Sequence, residues 1–253
     1  MVGREERQNS DKTRIETNKM SPARKIYENM YEILCRRFHD HNKAWDYLIE
    51  FLAVDNCPSL LSQLEHKFEW LFEDKDLADK LMSVYKPDVI KADIHDHLGD
   101  MYVENQSKSG KSNNGQFLTP DNVVDFICKS TIEQAKDGDT PLNILDPCVG
   151  TGRFLIGAYN CAPNANLFGV DIDLRALRVA FTNCAIHNIR AYFLHADSLV
   201  HEIDISKPEG IENWQYANKW YSQWDKLKGM SPARADEIKK ESAQREKAHI
   251  GLF

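Results

Sequence analysis

The stretch that most constrains this chain is Asn-Ile-Leu-Asp-Pro-Cys-Val-Gly-Thr-Gly-Arg-Phe-Leu, from Asn143 to Leu155. Asn143-Ile144-Leu145 reads as a short apolar strand, Asp146 to Gly152 as a glycine-bearing turn, and Arg153 onward as a helix closed by Pro163. A turn joining a strand to a helix start offers unpaired N–H groups to a ligand, and Gly150 and Gly152 allow positive φ and close approach. These pieces have the order of a nucleotide-cofactor half-domain.

The following segments extend that reading. Leu167 to Val170 forms a second strand ending on Asp171, where a carboxylate can accept hydrogen bonds from a ribose diol. Leu174 to Ile186 reads as a helix with Leu177, Ala180, Phe181 and Cys184 toward the sheet. A third strand, Ala191 to Leu194, leads into Ala196-Asp197-Ser198-Leu199, and a carboxylate at that strand end can accept from an exocyclic amine. The turn is not Gly-x-Gly-x-x-Gly, which argues against a dinucleotide.

Taken together, Gly-x-Phe-x-Thr-Pro at Gly115 to Pro120, Asp-Pro-x-x-Gly-x-Gly-x-Phe-Leu from Asp146, Gly-x-Asp-Ile-Asp from Gly169 and the later Asp-Ser-Leu resemble the S-adenosylmethionine-dependent DNA N6-adenine methyltransferases. The likeness is to the modification subunits of type I restriction systems and covers roughly residues 93–200. It implies an α/β fold: a partial Rossmann-like methyltransferase sheet with a helical N-terminal region and C-terminal helices. It implies S-adenosylmethionine as cofactor, with Phe117 and Thr119 against the methionine moiety and Asp146, Pro147, Gly150 and Gly152 lining the turn. Asp171 would hold the ribose, Ile172 would pack on the adenine face, and Asp197 would read the adenine edge.

At 253 residues and 42% hydrophobic content, the chain can bury a sizeable core. Its net charge of -7 is the wrong sign for affinity drawn from phosphate neutralisation, so DNA binding by the chain alone is expected to be weak and a methylase or specificity subunit is a possible partner. No apolar run reaches membrane-spanning length. Six scattered cysteines without a Cys-x-x-Cys pair suit a reducing cytoplasm and argue against structural zinc.

Four regions are expected: a flexible charged tail over 1–20, a helical region over 21–110, the cofactor domain over 111–204, and C-terminal helices over 205–253. Ser21-Pro22 starts the first helix, and Ile26, Met30, Ile33, Leu34 and Phe38 recur at helical spacing. Trp45, Leu48, Ile49 and Leu52 mark a second, and the pattern continues over Leu60 to Trp70 and Leu77 to Val84. Ile94 to Val103 is expected to be helical, and Thr119-Pro120-Asp121 to cap a helix with Val123, Val124, Ile127 and Cys128 on its apolar side. Gly110-Lys111-Ser112 imitates a phosphate-binding loop but lacks the upstream glycine and strand. Two His-Asp-His strings, His39 to His41 and His95 to His97, invite a metal reading. On a helix neighbouring side chains diverge, so solvent-exposed polar residues are expected there and no metal.

The resemblance lacks one part. N6-adenine transfer needs an Asn or Asp followed by Pro-Pro and an aromatic, because a side-chain oxygen and a free main-chain carbonyl must accept the two hydrogens of a poorly nucleophilic amine. No such tetrapeptide occurs in the chain. Asn218-Lys219-Trp220-Tyr221 is the nearest candidate, yet Ile211, Trp214, Ala217, Tyr221, Trp224 and Leu227 recur at helical steps. In a helix the Asn218 carbonyl is committed to an intrahelical bond. Three classes remain open: an active methyltransferase using Asn218 or a partner-supplied motif, a SAM sensor or structural subunit without transfer activity, and a fragment completed by another chain.

Overall fold

The computed structural model describes residues 20–57, 69–108, 118–136, 138 and 140–199. Helix α1 (Pro22–Phe38) starts where its local chemistry directs. Ser21 Oγ accepts the Arg24 N–H at 3.1 Å, and Pro22 takes a position that needs no N–H. Helix α2 (His41–Asn56) is capped by Asp40, whose Oδ1 accepts the N–H groups of Asn42 and Lys43 at 2.9 and 3.1 Å. Helices α3 (Glu69–Phe72), α4 (Lys75–Val84), α5 (Pro87–Ala92) and α6 (His97–Lys108) follow. Most of the expected Leu60 to Trp70 helix lies outside the described residues, as do Phe117, the Gly110 loop, Asn218 and the expected C-terminal helices.

The helix expected over Ile94 to Val103 begins later, at His97, because Asp96 takes the cap position. Its Oδ1 accepts the Gly99 N–H at 2.7 Å. Helix α7 (Asp121–Ile127) is preceded by Pro120 at the cap, without any side-chain capping bond, so the expected Thr119-Pro120-Asp121 cap reduces to the Pro120 carbonyl accepting from Val123 and Val124. Val124 and Cys128 face inward as expected, while Val123 is exposed. The chain then passes through a π-helical turn (Cys128–Ile132) into α8 (Glu133–Ala135).

Three parallel strands, β1 (Asn143–Asp146), β2 (Asn166–Asp171) and β3 (Ala191–His195), lie side by side in that order. They are linked by α9 (Arg153–Cys161) and α10 (Leu174–Ile186). Parallel neighbours require such crossovers, and all three strands therefore deliver their carboxyl ends to one edge of the sheet. Asp146 is registered opposite Gly169 and Asp171 opposite His195, so β2 reaches two residues beyond β1.

The core has two apolar clusters that meet on α10. Leu177, Ala180, Phe181 and Cys184 pack with Leu167, Val170 and Phe193 of the sheet, as the sequence pattern anticipates. The opposite face, Ala176, Val179 and Ile186, packs with Met30, Trp45, Leu48 and Tyr102 of the N-terminal helices. A helix apolar on both sides is a buried helix, and here it welds the helical region to the sheet. Leu48→Ala in the one cluster and Leu177→Ala in the other are each expected to cost about 2–5 kcal/mol. Because α10 belongs to both clusters, each variant should lower the urea midpoint of a single transition followed by circular dichroism; two transitions with only one displaced would contradict the shared core.

Candidate functional site

The carboxyl ends of the three strands are laced together by main-chain bonds. The Val149 N–H donates to the Val170 carbonyl at 2.8 Å, pinning the turn after β1 to β2, and the Ala196 N–H donates to the Asp171 carbonyl at 3.1 Å, pinning the segment after β3 to the same place. Asp171 completes the lacing with its side chain. Oδ2 accepts the Gly150 N–H at 2.7 Å and Oδ1 accepts the Asp173 N–H at 2.8 Å. Each oxygen keeps a second lone pair, so the carboxylate can serve a ligand while it holds the turn.

The turn takes the shape its glycines permit. Gly150 and Gly152 have φ of 52° and 90°. They differ in what lies beside them. A Cβ on Gly152 would stand 3.1 Å from both Ala180 Cα and Cβ, so this glycine lets α9 start hard against α10, whereas a Cβ on Gly150 would meet nothing within 4 Å. The open side of the turn is thus at Gly150, beside Asp171. Asp146, half-buried at the end of β1, accepts the Cys148 N–H at 3.0 Å. Burial pushes its carboxyl above the ordinary range, the Cys148 N–H opposes this, and the Asp171 charge adds to the rise.

Around that open side stand the other expected residues. Pro147 is exposed beside Cys148. Ile172 is 68% exposed immediately after Asp171, and its carbonyl lies 2.9 Å from His195 Nε2. Asp197 is half-buried and accepts the Leu199 N–H at 2.9 Å. Cys148 Sγ lies 4.0 Å from Ser198 Oγ, which brings the first turn against the segment after β3. Of the residues expected at the site, Asp146, Pro147, Gly150, Gly152, Asp171, Ile172 and Asp197 thus share one end of the sheet. Thr119 is exposed ahead of α7, and Asp121 two residues later places Oδ1 3.7 Å from Arg153 Nε.

Sequence reasoning missed the buried network behind the turn. Asp96 is fully buried, and its carboxylate accepts the Thr151 hydroxyl at 2.6 Å, the Asn183 amide at 2.6 Å and Arg153 Nε at 3.3 Å, besides the Gly99 N–H. Asn183 also donates to the Thr151 carbonyl at 2.9 Å. The carboxylate has room only because residue 99 is glycine, where a Cβ would lie 2.1 Å from Asp96 Oδ2. Thus α6, the glycine turn, α9 and α10 converge on one charge. Arg153 extends the network to Asp100 on α6. The His95 to His97 string is therefore not a set of solvent-exposed side chains: Asp96 and His97 are buried, and His95 is partly so. The string straddles a helix start, so the divergence expected within a helix does not apply. At the other string, His39, Asp40 and His41 are exposed as expected. The signal for the network was an asparagine and a threonine standing among apolar neighbours in α10 and the turn.

The two carboxylates of this network titrate in opposite senses. Burial raises Asp96 to about 6 against the pull of Thr151, Arg153, Gly99 and Asn183. Burial also acts to raise Asp100, but hydrogen bonds from His95 and Arg153 prevail and hold it down at about 2. Asp100 therefore contributes stability above the ordinary carboxylate range that is lost as pH falls through about 2. Asp96 works the other way: its contribution is fully present below the ordinary range and is lost as pH rises through about 6. Asp96→Ala is expected to destabilise the fold by about 3–5 kcal/mol, since the Gly99 N–H, the Thr151 hydroxyl and one Asn183 amide hydrogen lose their buried acceptor, while Arg153 keeps Asp100. The deficit against wild type should widen by on the order of 2–3 kcal/mol between about pH 6.5 and pH 4, as read by urea titrations at stepped pH; a deficit independent of pH would contradict the assignment.

Comparison with known proteins adds three findings. A sequence model of the N-6 DNA Methylase family matches residues 93–247, so the likeness runs well past residue 200 and across Asn218. The chain is 36% identical over 88 residues to the Type II methyltransferase M.VspI of Vibrio sp. (strain 343), covering 33% of this chain and 20% of that protein. It is 35% identical over 74 residues to the Type II methyltransferase M.CvrRI of Paramecium bursaria Chlorella virus XZ-6E, covering 29% of this chain and 18% of that one. The chain thus matches about a fifth of the length of these relatives. Its fold is similar to that of a Listeria monocytogenes protein described as a class I S-adenosylmethionine-dependent methyltransferase, with a TM-score of 0.50 and 17% identity over 72% of this chain and 55% of that one.

Proposed function

The chain belongs to the N-6 DNA methylase family, whose cofactor is S-adenosylmethionine, and from that premise we propose that it binds this cofactor at the carboxyl ends of β1, β2 and β3 as the cofactor half of an adenine-N6 DNA methyltransferase. The observation that carries the proposal is the convergence at one sheet edge of an open glycine turn, the Asp171 carboxylate and the exposed Ile172. Asp171 accepts from the ribose, Ile172 covers one adenine face, Asp197 accepts from the adenine amine, and Phe117 and Thr119 approach the methionine end. Bound there, the cofactor supplies an electrophilic methyl group on a sulfonium. The residues of the chain hold and orient it and keep water from its adenine.

On this reading the chain alone transfers no methyl group, because no Asn/Asp-Pro-Pro-aromatic segment is present to receive the adenine amine. DNA and the missing motif come through a methylase or specificity partner. One observation favours a second reading: the family match spans Asn218, which supports a degenerate acceptor within this chain. Labelled S-adenosylmethionine incubated with the protein and unmethylated DNA separates the two. Label in DNA without a partner, abolished by Asn218→Ala, supports the second reading; label only with a partner supports the first; none in either case leaves a cofactor-binding sensor or structural subunit.

At the cofactor site, Asp171→Ala is expected to weaken S-adenosylmethionine binding by about 1–3 kcal/mol, roughly 5- to 150-fold. Ile172 is exposed, so Ile172→Ala should leave stability within about 0.5 kcal/mol and weaken binding by about 1 kcal/mol. Calorimetric titration beside thermal melts checks both; unchanged affinity in both variants would remove the site from this sheet edge.

A further inference from the structure

His95, His97 and Asp100 surround the start of α6, on either side of the buried Asp96. The two imidazoles stand with centroids 4.5 Å apart, tilted at 54°. Asp100 lies one helical turn beyond His97, and its two oxygens are divided: Oδ1 faces Arg153, while Oδ2 lies 3.6 Å from His95 Nε2. One donor atom from each of the three residues falls within 4.8 Å of the other two. Ligand atoms about a tetrahedral zinc ion at about 2.0–2.1 Å sit roughly 3.3 Å apart, so rotamer adjustments of the order of an ångström would close the set.

The surroundings suit a cation. Asp121 Oδ2 lies 4.0 Å from His95 Nε2 and offers a fourth oxygen. Asp93 Oδ2 lies 2.8 Å from His97 Nε2, where a carboxylate commonly steadies a metal-bound imidazole and fixes its tautomer. Arg153 does not block the site, since Asp100 can present Oδ2 to a metal while Oδ1 keeps its guanidinium partner. Four carboxylates, Asp93, Asp96, Asp100 and Asp121, face this corner against the guanidinium groups of Arg24 and Arg153. We propose that His95, His97 and Asp100 form a binding site for a divalent transition-metal ion of the zinc type, with Asp121 as the fourth ligand. A metal held there would bridge α6 to the start of α7, two residues from Thr119.

The test is titration of the metal-stripped full chain with Co2+, followed by displacement with Zn2+. The expected result is one equivalent of cobalt with visible ligand-field bands of low-symmetry four-coordination, no sulfur-to-cobalt charge transfer, and full displacement by zinc. His95→Ala, on the more exposed of the two imidazoles, should lower zinc affinity by at least about 10-fold while leaving the circular dichroism of the metal-free chain unchanged. His97→Ala should do the same, and Cys148→Ser should have no effect. Absence of binding, a thiolate charge-transfer band, or affinity unchanged by His95→Ala would each overturn the site.

Discussion

The buried Asp96 carboxylate is the constraint on which the architecture turns. A charge without solvent is tolerable only when hydrogen-bond donors and a counter-charge surround it, and those donors come from the turn (Thr151), α9 (Arg153) and α10 (Asn183), while Gly99 of α6 supplies an N–H and the space. None of these elements can shift without exposing the others to an unpaired group. The glycine turn is held from behind by this network and from the front by Asp171. Its open side at Gly150 is preorganised, because the atoms that define it are already bonded elsewhere.

Helix α10 transmits that order in the other direction. Asp173 caps it through Oδ1 on the Arg175 N–H at 2.8 Å and accepts the Tyr102 hydroxyl on Oδ2 at 2.7 Å, two residues after the carboxylate that pins the turn. One face of the helix closes the sheet core and the other closes the helical core. Arg175 on its first turn reaches Asp46 of α2 at 2.9 Å. The N-terminal helices are therefore part of the scaffold that fixes where β2 ends.

Much of this was legible in the sequence where the deciding physics is local. The strands, the turn and α10 follow from apolar runs, glycine placement and capping residues, and the Ser21-Pro22 start and the Leu174 to Ile186 helix emerge as read. The place of Asp171 at the end of the second strand followed from the apolar run Leu167 to Val170, whereas its bond to the Gly150 N–H is seen in the structure alone. The Asp96 network was not legible, because its partners lie 55 and 87 residues away and no local period announces a buried charge. The His95 to His97 string misled for the related reason that a helix start lies within it, which sends Asp96 inward and leaves two imidazoles side by side. Thr119 failed as a cap because Pro120 occupies the cap position.

Holding a cofactor and receiving a methyl group make different physical demands on a chain. Holding it requires rigid main chain, a strand-end carboxylate and an apolar cover, which on the proposed reading the glycine turn, Asp171 and Ile172 would supply. Receiving a methyl group on adenine requires a main-chain carbonyl freed from secondary structure beside a side-chain oxygen, with an aromatic face for the base. Among the described residues at this sheet edge, Pro147, Cys148, Ser198 and Leu199 are not such a set, and none pairs with β1 on the side away from β2. The two demands oppose each other physically, since a carbonyl free to accept from substrate is one the fold has declined to bond. The first can therefore be ordered independently of the second: the Asp96 and Asp171 bonds fix the glycine turn through contacts in which no acceptor segment takes part.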